Sequence, residues 1–92
     1  MTSKEIKKQP VKNPEEKVLK EHYLVLHNDN VHSFDYVINA LIDICEHAYE
    51  QATQCTIIAH YKGKCDIKKG VFETLKHMKD VLLEKELNIT IN

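Results

Sequence analysis

Phe34, Val37, Ile38, Leu41, Cys45 and Ala48 recur at intervals of three and four, a spacing that aligns on one side of an α-helix and never on a strand. Ser33 stands ahead of the run as an N-cap, with Asp35 set against the positive end of the helix dipole. Such a helix has one wet side and one that the rest of the chain must cover. Upstream, His22-Tyr23-Leu24-Val25-Leu26-His27 is a short run of strand-like residues that stops at the turn formers Asn28-Asp29-Asn30. Downstream, Glu50 to Tyr61 predicts a second helix, with Ala52, Cys55, Ile58 and Ala59 on one side and Gln51 and Gln54 among its polar positions. Lys62-Gly63-Lys64 breaks it. Cys65-Asp66-Ile67-Lys68 alternates as a half-exposed strand before Gly70, and Val71 to Lys85 reads as a third helix with Leu75, Met78, Val81 and Leu82 inward. Leu87 to Ile91 alternates as a last strand. The order is β-α-α-β-α-β. The predicted fold is α+β, a single small domain in which three helices cover one face of a three-stranded antiparallel sheet.

At 92 residues the chain has room for one domain. Hydrophobic residues at 42% and charged residues at 29% belong to a globular protein, and a domain this small favours a surface pocket over a deep cleft between lobes. All 13 basic residues are lysine, and the formal charge is −1. The absence of arginine argues against nucleic-acid and phosphate clamps. No run approaches the ~20 apolar residues of a membrane span, and Met1-Thr2-Ser3-Lys4-Glu5 lacks the apolar core of a signal peptide. The expected location is the cytoplasm. Cys45, Cys55 and Cys65, odd in number and without a C-x2-C pair, are expected to be free buried thiols. A zinc site with His47 and His60 is the alternative they leave. Residues 1–21, with six lysines, four glutamates, Pro10 and Pro14, read as a flexible N-terminal extension ahead of a core domain at 22–92.

Between Lys20 and Lys62 the only basic side chains are histidines, whereas Glu21, Asp29, Asp35, Asp43, Glu46 and Glu50 all fall there. That stretch is either a solvated acidic face or a field that attracts a cation. Asn28-Asp29-Asn30 sets several side-chain acceptors where a strand ends and a helix begins, although such triplets also serve simply as turns. His60, between Ala59 and Tyr61, is either a packing residue or a ligand. No Gly-rich loop, serine elbow or nucleophile with a base is present, so an enzyme is not expected.

Leu24-Val25-Leu26-His27-Asn28-Asp29-Asn30, Phe34-Asp35-Tyr36-Val37-Ile38, Ala52-Thr53-Gln54, Ala59-His60-Tyr61-Lys62-Gly63-Lys64 and Gly70-Val71-Phe72 resemble, in order and spacing, the ClpS adaptors of bacteria. Those proteins recognise N-degrons and deliver them to a Clp AAA+ unfoldase and its peptidase. The resemblance covers about residues 22 to 91. It implies capture of an N-terminal Leu, Phe, Tyr or Trp, with Asn28, Asp29, Asn30 and His60 around the substrate's α-amino group. It also implies a hydrophobic pocket formed by His32, Phe34, Val37, Thr56, Ala59 and Leu87. The implied partners are a ClpA- or ClpC-type unfoldase with ClpP, and N-degron substrates, with no cofactor, nucleic acid or membrane. The chain departs from the family pattern at Asn30, where the family usually has a second Asp, so Asp29 is the turn's only carboxylate. Phe34 and Thr56 stand where methionine is typical, and His32 where threonine is usual. The stretch from Phe72 to Leu87 is shorter than in most members. The competing reading is a plain protein-docking module of similar fold, like the C-terminal domain of the ribosomal stalk protein, without amino-terminus recognition.

Overall fold

The structure, a computed structural model, describes residues 20–92. The extension expected at 1–21 lies, apart from Lys20 and Glu21, outside those residues. Six elements follow in the order expected: β1 (Glu21–His27), α1 (Phe34–Cys45), α2 (Tyr49–Lys62), β2 (Lys64–Val71), α3 (Phe72–Glu84) and β3 (Ile89–Ile91). The sheet runs β2-β1-β3, and both neighbours of the central strand are antiparallel to it. Leu26 faces Cys65 on one side and Ile89 on the other.

Helix α1 begins as its sequence dictates, with the Ser33 Oγ accepting from the Tyr36 N–H at 3.1 Å. It ends at Glu46 in the left-handed region, φ 61°, and the Cys45 carbonyl left at that end receives the Lys68 ammonium at 3.0 Å. Between Leu24 and Val25 the β1–β2 register shifts, so that Ile67 has no partner on β1. The Ile67 carbonyl is met by His47, whose Nε2 donates to it at 2.6 Å. Gly63 turns the chain from α2 into β2 at φ 97°, a conformation that a residue without Cβ adopts freely.

The core joins Leu24 and Leu26 to Val37, Ile38 and Leu41 from α1, Ala52 and Ala59 from α2, Ile67 from β2, and Leu75 and Leu82 from α3. The expected stripes need four corrections at their ends. Phe34 is 41% exposed, since at the first position of the helix it borders a cavity and not the packed core. Ala48 is exposed because the left-handed Glu46 redirects the chain, leaving Ala48 as the N-cap of α2. On α2, Ile58 is 39% exposed and Thr56 takes the inward place at 4%, its hydroxyl satisfied by the Ala52 carbonyl at 2.8 Å. Cys65 is only half-buried.

Strand β2 runs past Gly70 to Val71. The last strand starts at Ile89, two residues later than the alternation implied, because Glu86 adopts φ 66° and the Leu87 N–H turns back to the Leu82 carbonyl. That corner puts Leu87 in the core at 3% exposure. Burial pushes the Cys45 thiol up to about 11 against the lowering influence of Lys68. Burial, with a hydrogen bond to Cys65, pushes Cys55 up to about 12. Both stay protonated and unreactive near neutral pH. Among the described residues no group of three His, Cys, Asp or Glu side chains could hold a metal ion, and no helix is long and apolar enough to cross a membrane.

Candidate functional site

Strand β1 ends against two other elements. The His27 N–H bonds the Asn88 carbonyl at 2.8 Å, and the Asn28 N–H bonds the Gly63 carbonyl at 2.9 Å. The Asn28-Asp29-Asn30 turn is therefore suspended between the lead-in to β3 and the end of α2. It opens onto a cavity of about 260 Å³, counted out to its mouth. Leu26, Val37, Thr56 and Ala59 line the cavity and are all nearly inaccessible to solvent. Its remaining walls are Phe34 and His60, both exposed, and half-buried His27, Asn28, Asp29 and His32. The Phe34 and His60 rings meet edge to face with centroids 5.2 Å apart, which joins the start of α1 to the end of α2.

The polar wall is ordered by the turn itself. Asp29 Oδ1 accepts from the backbone N–H groups of Val31 at 2.7 Å and His32 at 3.1 Å, an Asx-type arrangement. Asp29 Oδ2 accepts from His32 Nδ1. Asn28 is oriented by a contact from its Nδ2 to Asn30 Oδ1 at 3.4 Å. Its Oδ1 is buried and has no hydrogen-bond partner among the described residues. Such an acceptor is unfavourable in a folded protein unless something else supplies the donor.

Burial raises the Asp29 carboxyl, but the His32 side chain and the Val31 and His32 backbone N–H groups outweigh it and hold the group below its ordinary value of 3.8. A carboxylate with a depressed value stabilises the fold while ionised. Its contribution is whole above 3.8 and is lost as the pH falls through the lower value. Asp29→Asn should therefore lower the urea midpoint by a constant amount from neutral pH down to about pH 5, with the gap closing in stronger acid. A gap that stays the same across the acid range would show that the charge contributes nothing.

Of the ten residues singled out in the sequence, Asn28, Asp29, His32, Phe34, Val37, Thr56, Ala59 and His60 come together around this cavity. Asn30 and Leu87 do not line it. They lie instead on an adjacent polar groove of about 770 Å³, with Val31, Glu86 and Asn88. Leu26 and His27 line the cavity and were not singled out. Their signal was their place at the end of a strand that runs into the acceptor-rich turn. Chemically, the site offers an uncommitted oxygen and a carboxylate beside an apolar recess, features that suit a cationic head attached to an apolar side chain.

Residues 17–90 match the family described as ATP-dependent Clp protease adaptor protein ClpS. Among solved structures, the chain is similar to Agrobacterium tumefaciens ClpS2 bound to L-phenylalaninamide. The TM-score is 0.69 and the identity 18%, and the match covers 79% of this chain and 95% of that one. No curated protein matches the chain by sequence.

Proposed function

Because this chain belongs to the ClpS family of Clp protease adaptors, we propose that it binds the N-terminal Leu, Phe, Tyr or Trp of substrate proteins and delivers them to a ClpA- or ClpC-type unfoldase working with ClpP. The reading is of an adaptor that performs no chemistry on its substrate. The observation that carries it is the buried, partnerless Oδ1 of Asn28 at the edge of a recess lined by Leu26, Val37, Thr56 and Ala59. An α-amino group with a typical value near 8 is mostly cationic at neutral pH, so it donates to that oxygen while Asp29 supplies the opposite charge. His60, at the mouth, serves as a second acceptor when its ring is neutral. L-phenylalaninamide, the ligand of the Agrobacterium tumefaciens protein, has the two features this reading asks of a ligand: a free amine and an apolar side chain.

A buried Leu or Phe side chain contributes about 1.5–3 kcal/mol, and a charge-assisted hydrogen bond about as much. After the cost of association, micromolar affinity is expected. The test is a titration of short peptides that begin with Leu or Phe, each free and N-acetylated. Binding of the free peptides and its loss on acetylation are the expected results, since acetylation removes the charge and the donors that Asn28 requires. Equal binding of both forms, or of neither, would favour the docking-module reading.

A further inference from the structure

The cavity and the polar groove beside it share part of one wall, to which Asn28, Asp29 and His32 contribute. His32 alone brings a ring to that wall. The ring is held at its edge by Asp29 Oδ2 and on its face by Tyr36, with centroids 4.6 Å apart and planes 13° from parallel. Tyr36 is fixed in turn, its O–H donating to the Lys85 carbonyl at 2.9 Å, at the corner where Glu86 takes a positive φ. A ring tied at edge and face cannot change rotamer without giving up both contacts. Leu87 follows that corner and lines the groove but not the cavity.

Resting on the reading of the cavity as the seat of an N-terminal side chain, we infer that His32 is a specificity-determining partition: it closes the cavity off from Leu87 and the groove, and so ranks the proposed ligands by size, with side chains of leucine and phenylalanine size ahead of tryptophan. Tryptophan, the largest of the four side chains, is the one such a partition penalises most. The remaining polar wall is indifferent to this choice. Every candidate ligand carries the same ammonium, so the ratio of two affinities isolates the apolar seat from the amine contacts.

The experiment measures, on the full chain, the affinities of fluorescent peptides that differ only in a first residue of Leu, Phe or Trp. The unaltered chain should bind Leu and Phe well and Trp most weakly. His32→Ala joins cavity to groove and should raise the Trp-to-Leu affinity ratio about tenfold. His32→Phe keeps a ring stacked on Tyr36 but cannot bond Asp29. It should keep the original order, which assigns the effect to the ring's bulk and not to its hydrogen bond. Tyr36→Phe frees the stacked pair from Lys85 and should move the ratio in the direction of His32→Ala by a smaller factor, which decides the matter if His32→Ala fails to fold. A ratio unchanged in His32→Ala, with both peptides still lost on acetylation, overturns the partition and leaves the proposed function standing. If the unaltered chain binds none of the free peptides, the proposed function falls and the partition with it.

Discussion

Replacing Asn28 with alanine should weaken binding of a free Leu-peptide by roughly ten- to a hundredfold, the value of a hydrogen bond to a charged partner, without weakening the fold. The two effects separate because of one atom. In the free protein, Asn28 Oδ1 is already stripped of water and has no partner, so the folded state bears its desolvation, about 1–3 kcal/mol for such a group. Among the described residues the side chain's one hydrogen bond is a long one, to exposed Asn30, while the backbone N–H that anchors the turn to Gly63 survives the substitution. Thermal stability should therefore be unchanged or slightly higher in Asn28→Ala. A structural asparagine would behave in the opposite way, losing stability and leaving any peptide affinity intact. Thermal melts and peptide titrations on the same preparation distinguish the two cases. Full affinity in the variant would remove Asn28 from the site.

What the sequence disclosed about this molecule depended on how far each signal reaches along the chain. The middle of α1 was legible because Val37, Ile38, Leu41 and Cys45 obey a helical period and are all buried, and Ser33 announced the helix start that it does cap. The ends were less so. Periodicity assumes that the packed surface continues, and it gives way to a cavity at Phe34 and ends past the left-handed Glu46 that turns Ala48 away. On α2 the spacing put Ile58 inward with Ala52, Cys55 and Ala59, whereas Thr56 takes that place. The threonine could be buried because its hydroxyl is spent within the helix.

The site asked more of the sequence. Nothing local joins Asn28 to His60. They meet because β1 runs antiparallel to β2 and the Asn28 N–H reaches the Gly63 carbonyl that ends α2. Only the resemblance to a family put those residues in one site. Leu87 shows the limit of that route. Its position follows from a positive φ at Glu86, a residue with no preference for that conformation, and from the Leu87 N–H turning back to the Leu82 carbonyl.

Leu26→Ala should be the most damaging single change for stability among the cavity-lining residues. Leu26 is 1% exposed, sits on the central strand between Cys65 and Ile89, and belongs at once to the core cluster and to the wall of the cavity. Truncation removes its buried methyl groups and leaves a void that a strand paired on both sides cannot collapse to fill, so a cost of about 3 kcal/mol is expected. For a domain of about 70 residues, whose whole stability is of order 4–11 kcal/mol, that is a large share, and the melting temperature should fall by on the order of 15 °C. Leu83, on the outer side of α3 and 42% exposed, is the control. Leu83→Ala should stay within about 0.5 kcal/mol of the unaltered chain. Peptide affinity measured well below the melting temperature should fall less in Leu26→Ala than in Asn28→Ala, because the amine contacts remain and only part of the apolar wall is lost. A Leu26→Ala protein as stable as the Leu83→Ala control would mean that the recess has no packed floor beneath it, and a seat without a floor could not select one apolar side chain over another.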